Sequence, residues 1–224
     1  MNPLLMTDSY KLSHKNFCPP GTQYIYSNLT FRFDKYFSKY YPNFDHKAVW
    51  FGLQAFIKKT LIEEWNINFF NKSWEELKEE LNDVLVPYIG MTDFDHFEAL
   101  HKLGYLPIEI KSLKEGSLVN IGTPVLTIVN THPEFQWLTN YLETVISAEV
   151  WKPTTVATIA REFAHLSRYY AINTVGNTEG TEFQNHDFSY RGQANTESAA
   201  SVGAGFLLSS HGTDNIPAIV FAKK

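Results

Sequence analysis

The densest group of chemically capable side chains lies near the end of the 224-residue chain. Phe188 and Arg191 follow His186 in the run His-Asp-Phe-Ser-Tyr-Arg-Gly, and Asp214 ends a downstream His-Gly-Thr-Asp turn. An aromatic face can stack on a flat ring, and a guanidinium suits phosphate or carbonyl oxygens. Together with the acid, these side chains predict a site for a planar, polar-edged ring ligand that bears phosphate.

The elements between these two runs must bring them together. A stretch rich in Ala, Ser and Gly predicts a helix packed tightly through small residues, and 218–222 is predicted to be the next strand. In α/β folds, the loops at the carboxyl ends of parallel strands open on one edge and carry the site. We therefore expect the loop with Phe188 and Arg191 to open beside the loop with Asp214.

Each candidate also has a plain structural interpretation. Phenylalanines are usually core, but Phe188 lies between Asp187 and Ser189 at a predicted strand end, which favours a ligand contact. Arg191 could equally form a surface salt bridge, which stabilises little, although the following glycine allows close backbone approach. Asp214 fits an Asx turn or a helix cap as well as a ligand contact, and its sequence context does not separate these alternatives.

Composition describes an ordinary folded protein. The formal net charge is −5 and no long basic run occurs, which disfavours non-specific nucleic-acid binding. A single cysteine, Cys18, excludes an intrachain disulfide and fits a reducing compartment. No stretch has the apolar length of a membrane span or the pattern of a signal peptide. A cytoplasmic protein is therefore expected.

The rest of the chain predicts helices and short strands. A strand over 23–33 precedes an amphipathic helix over 48–65, and a capping box at Ser73 begins another helix. Short apolar runs in 106–129 predict a small antiparallel β unit. Pro153 is predicted to begin a new helix, since proline suits a first helical turn.

The order of these patterns gives the fold class and the domains. Mixed helices and antiparallel strands fill residues 1–130, and helix–strand alternation fills residues 131–224. We predict an α/β protein whose α+β first part precedes the first units of a parallel α/β barrel. So few units cannot close a barrel, and the barrel is expected to be incomplete.

The ordered motifs resemble the nicotinamide phosphoribosyltransferase family, whose usual pattern is HDFG-x-RG followed by a GTD turn. The motifs are TDSYKLSH (7–14), LPIEIK (106–111), WLTNYLET (137–144), TTVATIARE (154–162) and HDFSYRG with GTD. The resemblance covers nearly the whole chain and implies a barrel of the type II phosphoribosyltransferase kind. Ser189 departs from the family, which usually has glycine at this position.

The resemblance implies roles for the candidate residues. The pyridine ring of nicotinamide would stack on Phe188, and Arg191 would lie beside the ring and the phosphoribosyl group. Asp214 would accept a hydrogen bond from the carboxamide. Because a carboxylate repels the like charge of nicotinate, nicotinamide is the expected base.

Further substrate-binding positions are also implied by the resemblance. Tyr10 would reach into the site of a second subunit, which implies a homodimer, and Arg32 would contact pyrophosphate. Asp8 and His186 complete the candidate set, with a structural histidine as the favoured interpretation of His186. Two alternatives stay open. Tyr10 could be an ordinary half-buried tyrosine, and Arg32 could be an arginine that points outward from a strand.

The implied reaction joins nicotinamide to 5-phosphoribosyl 1-pyrophosphate, releasing pyrophosphate and giving nicotinamide mononucleotide, with Mg²⁺ on the pyrophosphate. The family's catalytic histidine and the acids that hold ribose and Mg²⁺ correspond to positions beyond Lys224. No catalytic residue is therefore expected on this portion, and it is expected to be inactive without a C-terminal half. A non-catalytic nicotinamide-binding subunit and a nicotinate-type transferase are the alternatives.

Overall fold

The computed structural model describes residues 1–41 and 43–223. The α-helices are α1 (Lys35–Tyr40), α2 (Leu53–Phe56), α3 (Trp74–Ile89), α4 (Asp95–Leu103), α5 (Leu138–Tyr141), α6 (Glu143–Val175), α7 (Thr196–Phe206) and α8 (Ile216–Ala222). The strands are β1 (Tyr26–Thr30), β2 (Lys47–Val49), β3 (Ile108–Ser112), β4 (Leu118–Asn120), β5 (Pro124–Asn130), β6 (His186–Asp187) and β7 (Gly212–Thr213). Short 3₁₀ segments are Pro3–Leu5, Ser9–Phe17, Pro133–Phe135, Thr181–Phe183 and Tyr190–Gly192.

The chain forms two compact units, each assembled from separate stretches. The first unit comprises Met1–Asn28, Gln54–Lys111 and Leu126–Ser147, and the second comprises Leu29–Leu53, Ser112–Val125 and Ala148–Lys224. These units interleave along the sequence. The predicted boundary near residue 130 instead divides the sequence into two continuous domains. It stays a prediction.

Helices α3 and α4 of the first unit follow their sequence signals closely. The Glu76 amide donates to the Ser73 hydroxyl, and the Ser73 amide donates to the Glu76 carboxylate, so the predicted capping box is confirmed. Gly104 ends α4 in the left-handed conformation, with φ 81°. Pro87 lies inside the last turns of α3, and Gly90 ends the helix.

The helix predicted over 48–65 begins later than expected. Strand β2 takes the first residues, and Gly52, with φ 106°, turns the chain before α2 begins. The helix then continues with π-type turns through Ile57–Glu64 and Asn66–Phe70. The sequence prediction was wrong here because a short apolar run fits a buried strand as well as a helix, and periodicity alone does not decide.

The predicted antiparallel β unit is divided between two sheets. Strands β1, β5 and β3 form a three-stranded sheet in that order, most of whose residues lie in the first unit. Strand β4 instead pairs antiparallel with β2, with Ala48 opposite Val119. The partner strand is distant in sequence, so the local apolar pattern could not identify it.

Helix α6 is a continuous helix of 33 residues, and Pro153 lies inside it rather than beginning it. The second unit packs closely around this point. The Thr154 hydroxyl donates to the Phe51 carbonyl (2.9 Å), and the Thr158 hydroxyl accepts from the Val49 amide (3.0 Å). These bonds stabilise the helix beyond a proline that would otherwise disfavour it. Across residues 1–41 and 43–223, no helix has the length and apolarity needed to cross a membrane.

Residues 218–222, predicted to be a strand, form most of helix α8. Pro217 lies in its first turn, where the missing proline amide costs no helical hydrogen bond. The strand that follows α7 is instead β7, two residues long. The predicted order of strand, loop, helix, loop and strand is confirmed for β6, α7 and β7. The second strand of this order, β7, comes earlier in the chain than the predicted range 218–222.

Candidate functional site

The predicted convergence of two loops is confirmed by the pairing of β6 with β7. The two strands are parallel, with His186 opposite Gly212 and Asp187 opposite Thr213. Phe188 and Asp214 directly follow these pairs, and the Asp214 amide donates to the Asp187 carbonyl (3.1 Å). The loop with the aromatic ring and the loop with the acid therefore leave the same edge of the sheet.

Asp187, between the paired strand and Phe188, anchors the first loop. Its side chain is buried, with 4% of the residue exposed. One carboxylate oxygen accepts from the Ser189 amide (2.9 Å), and the other accepts from the Asn215 side-chain amide (3.1 Å). Sequence reasoning placed Asp187 only as a polar neighbour, because its burial depends on a residue 28 positions downstream.

The Phe188 ring is 68% exposed, so the core interpretation of this residue is wrong. Its ring centroid lies 6.0 Å from that of His186, with an angle of 30° between the planes. A largely exposed aromatic ring that directly follows the buried Asp187 can offer its face to a flat ligand. Its role as a stacking platform stays a prediction.

Arg191 and Asp214 are both exposed, and neither structural alternative for them is observed. Within the described residues, the Arg191 guanidinium has no ion-pair or hydrogen-bond partner. The Asp214 side chain likewise accepts no hydrogen bond there, and Asn215, not Asp214, takes the position before helix α8. Both charges are therefore available to a ligand, and their binding roles stay predictions.

Ser189, the departure from the family pattern, adopts an ordinary helical conformation (φ −76°, ψ −7°). The glycine usual in the family is therefore not required by the backbone of this loop. The Ser189 hydroxyl is buried and has no hydrogen-bond partner among the described residues. The Phe188 ring is thus exposed in a loop that has serine at this position.

His186 packs against the second strand of the pair. A Cβ atom added to Gly212 would lie 2.5 Å from the His186 Nδ1 atom, so the ring occupies the space that glycine leaves. Close packing of this kind supports the structural interpretation of His186. Its place among the substrate-binding candidates stays a prediction.

Asp8 and Tyr10 belong to the first unit, on the segment that begins the 3₁₀ stretch Ser9–Phe17. Tyr10 is 55% exposed, and its ring lies 5.2 Å from that of His14. The Asp8 carboxylate accepts from the Thr144 hydroxyl (2.6 Å) and does not cap the segment. Asp8 therefore has a structural partner, whereas the Tyr10 ring is open to a ligand or another chain.

Arg32 lies two residues beyond the end of β1, not within the strand as expected. It belongs to the second unit and is exposed. No described side chain pairs with it, and no described contact joins it to β6 or β7. The structure therefore brings together His186, Phe188 and Asp214, but it does not test the pyrophosphate contact implied for Arg32.

A separate surface depression of about 360 Å³ lies along α6. Its lining residues are His165, Arg168, Tyr169, Ile172 and Asn173. None of the predicted site residues lines it, and one helix supplies all of its walls. The β6–β7 edge therefore stays the candidate site, on the chemistry of its side chains.

Comparisons with known proteins show which enzymes this chain is similar to. Residues 2–110 match a family described as "Nicotinamide phosphoribosyltransferase, N-terminal domain". The nicotinamide phosphoribosyltransferase of Acinetobacter baylyi is 46% identical over the whole chain, and that of Mycoplasma pneumoniae is 33% identical over 98% of the chain. The matches cover 45% and 50% of those proteins, so the chain spans about half the length of the curated relatives it matches.

Solved structures show the same fold. The human nicotinic acid phosphoribosyltransferase matches 95% of this chain with a TM-score of 0.63 at 20% identity, over 36% of its own chain. The nicotinate-nucleotide pyrophosphorylase of Pyrococcus furiosus matches 96% of this chain with a TM-score of 0.51 at 14% identity, over 39% of its own chain. At such low identity these matches show the fold alone, and they confirm the predicted α/β class. The chain is thus similar along its whole length to bacterial nicotinamide phosphoribosyltransferases, and its residues 2–110 match the N-terminal domain described for that family.

Proposed function

We propose that the chain is the nicotinamide-binding portion of a nicotinamide phosphoribosyltransferase. The whole enzyme would make nicotinamide mononucleotide and pyrophosphate from nicotinamide and 5-phosphoribosyl 1-pyrophosphate, a step of NAD salvage. The observation that carries the proposal is the parallel pairing of β6 and β7, which places the exposed Phe188 ring and the Asp214 carboxylate on one edge. The names of the bacterial relatives support the same activity.

The three ligand-facing residues have complementary tasks in this proposal. The Phe188 face stacks on the pyridine ring, an interaction worth about 1–3 kcal/mol between aromatic side chains and bases. Asp214 accepts a hydrogen bond from the carboxamide NH₂, which fixes the ring within its plane. Arg191 neutralises negative charge on the phosphoribosyl group. These contacts hold the ring nitrogen for attack on the sugar carbon that carries pyrophosphate, and pyrophosphate leaves with the bonding electrons.

Mg²⁺ is proposed to enter with the pyrophosphate substrate. In the part of the chain that the structure describes, no group of three or more His, Cys, Asp or Glu side chains could hold a metal ion. None of the described residues is therefore given a metal-dependent step. The acids that hold the ion and ribose would lie in the half of the enzyme that this chain does not match in its relatives. That half could belong to the same polypeptide or to a separate subunit.

A cytoplasmic homodimer with shared active sites is proposed for the complete enzyme. The exposure of the Tyr10 ring supports this arrangement, because the ring would have to reach into the site of a second subunit. Arg32, exposed and without a described partner, would contact pyrophosphate, and Asp8 would support the segment that carries Tyr10.

The base preference tests this function. Titration of the chain with nicotinamide and with nicotinate should show tighter binding of nicotinamide, because the Asp214 carboxylate repels the nicotinate charge. Replacing Asp214→Ser should reduce that preference by about tenfold, the worth of one hydrogen bond to a charged group. Asp83→Ser, the same change at an exposed acid of α3, is the matched control and should leave the preference unchanged.

Two outcomes would redirect the proposal. An unchanged preference in Asp214→Ser would remove the amide-reading role and favour a nicotinate-type transferase. The chain could instead bind nicotinamide but form no nicotinamide mononucleotide, even when a polypeptide corresponding to the unmatched half of a relative is added. That result would favour a non-catalytic binding subunit.

A further inference from the structure

We propose that Asp187 and Asn215 are positioning residues that couple the two ligand-facing loops, a role that rests on the proposed function. Asp187 directly precedes Phe188, and Asn215 directly follows Asp214. Both are withdrawn from solvent, Asp187 to 4% exposure and Asn215 to 0%. Their side chains meet beneath the exposed residues, so neither is in a position to touch the base itself.

Asp187 is bonded to both loops at once. Its carboxylate accepts from the Ser189 amide, which fixes the backbone on the far side of Phe188. Its backbone carbonyl accepts from the Asp214 amide, and its second carboxylate oxygen accepts from the Asn215 side chain. A displacement of Asp187 would therefore move the stacking ring and the amide-reading carboxylate together.

Asn215 has a fixed orientation in this arrangement. Its Nδ2 group donates one hydrogen bond to Asp187 (3.1 Å) and another to the Ala199 carbonyl on helix α7 (2.8 Å). Exchanging its nitrogen and oxygen would place the amide oxygen against two acceptors, the Asp187 carboxylate and the Ala199 carbonyl. The flipped amide orientation is therefore disfavoured. Asn215 thereby ties the second loop both to the first loop and to the helix that connects them.

Helix α7 packs closely against the Asp187–Asn215 pair at Gly203. A Cβ atom added to Gly203 would lie 2.5 Å from the Asn215 Nδ2 atom and 2.8 Å from an Asp187 carboxylate oxygen. Real Cβ atoms do not approach other atoms so closely, so a glycine is needed where the helix crosses the pair. The pair is therefore enclosed by the fold, and its geometry is set before any ligand arrives.

The test variant is Asp187→Asn, which keeps the shape of the side chain. An asparagine amide can accept from Ser189 or from Asn215 but must present a donor to the other, so one buried hydrogen bond is lost. Without ligand, hydrogen exchange at both the Ser189 and the Asp214 amides should accelerate by about tenfold or more. Nicotinamide should bind about tenfold more weakly, and its preference over nicotinate should fall.

Ser210→Ala is the matched control, because Ser210 is also buried and bonded at the opposite end of the same strands. Its hydroxyl donates to the carbonyls of Glu182 and Asn185 and accepts from the Gly212 amide. A merely structural loss there should lower the stability of the chain without changing the base preference.

The coupling is refuted if Asp187→Asn accelerates exchange in only one of the two loops. It is equally refuted if Ser210→Ala lowers the base preference as much as Asp187→Asn does. A chain that binds neither base would contradict the proposed function instead, and the exchange rates at Ser189 and Asp214 would still decide whether the loops are coupled.

Discussion

The two regions that carry the proposed ligand residues are held in place by different forces. In the second unit, Phe188 and Asp214 follow strands joined by parallel backbone pairing, with the buried Asp187 between them. In the first unit, Tyr10 lies on a short 3₁₀ segment that is attached to its surroundings through side chains. The first arrangement combines backbone pairing with close packing around Gly203, whereas a buried charge and single side-chain hydrogen bonds contribute more to the second.

The side-chain attachments of the Tyr10 segment can be named one by one. Lys11, whose side chain is 3% exposed, pairs with Glu143. The Lys15 ammonium lies 2.9 Å from the His96 Nδ1 atom on α4. Changes of packing should therefore act most strongly on the β6–β7 region, and changes of charge most strongly on the Tyr10 segment.

The largest effect is expected from Gly203→Ala, which tests the packing of the β6–β7 region. The added methyl would overlap Asn215, Ala218 and Asp187, and overpacking of this kind costs about 3 kcal/mol. Gly192→Ala is the matched control, because its methyl would meet no atom within 4 Å. Urea unfolding of both variants measures the difference, and equal stabilities would contradict the described packing.

A pH-dependent loss is expected next, in the unit that carries Tyr10. Burial, followed by the nearby Lys15 charge, lowers the pKa of His96 from 6.5 to about 3, against the opposing charge of Asp93. The unfolded chain thus binds a proton below pH 6.5 that the folded chain refuses, so stability is full above pH 6.5 and falls toward pH 3. The expected loss is at most about 2 kcal/mol at pH 5.

Two histidine variants make this prediction specific. His96→Gln keeps a polar side chain near Lys15 without a titrating ring, and it should remove most of the decline in unfolding free energy between pH 7 and pH 5. His165→Gln, at an exposed histidine of α6, should retain the decline. An equal decline in wild type and His96→Gln would show that His96 is not its source.

Removing either partner of the Lys11–Glu143 pair should have unequal effects. Glu143→Gln leaves the buried ammonium without its counter-charge and is expected to cost about 1–2 kcal/mol, less than a fully buried pair because Glu143 is 61% exposed. Lys11→Met replaces the buried charge with an apolar chain of similar length and should be close to neutral. Thermal unfolding of the two variants would contradict this view of the pair if Lys11→Met were the more destabilising.

The smallest effect is expected from Thr144→Val, which removes the hydroxyl that donates to Asp8. A single hydrogen bond near the surface contributes about 0.5 kcal/mol. Thr155→Val is the control, because its hydroxyl bonds only to its own helix, at the Trp151 carbonyl. Hydrogen exchange over residues 8–17 should rise in the first variant only; a rise in both would show that the tie to Asp8 has no particular importance.

Local signals in the sequence were sufficient for several elements. The capping box at Ser73 and the terminal glycine at Gly104 act through neighbouring residues, so their helices could be predicted. The small-residue helix α7 was also predictable, because its composition fits only close packing. The strand–loop–helix pattern around α7 also predicted that the loops with Phe188 and Asp214 would open on one edge, as the pairing of β6 with β7 confirms.

The remaining features depend on partners that are distant in sequence. Strand β2 exists because β4 pairs with it, and α6 continues through Pro153 because the second unit packs around that turn. The burial of Asp187 requires Asn215, and the position of Asn215 requires a glycine on α7. No local pattern of apolar residues contains this information, so the exposed candidate residues could be named from the sequence and the buried residues beneath them could not.

The most direct test of the proposed site is an amide NMR titration of the chain with nicotinamide. The expected result is a saturable change in the signals of Phe188, Arg191 and Asp214, with the signals of Ser189 and Asn215 following at the same concentrations. Changes confined to the α6 depression around Arg168 and Tyr169, or no change at any residue, would contradict a nicotinamide site at the β6–β7 edge.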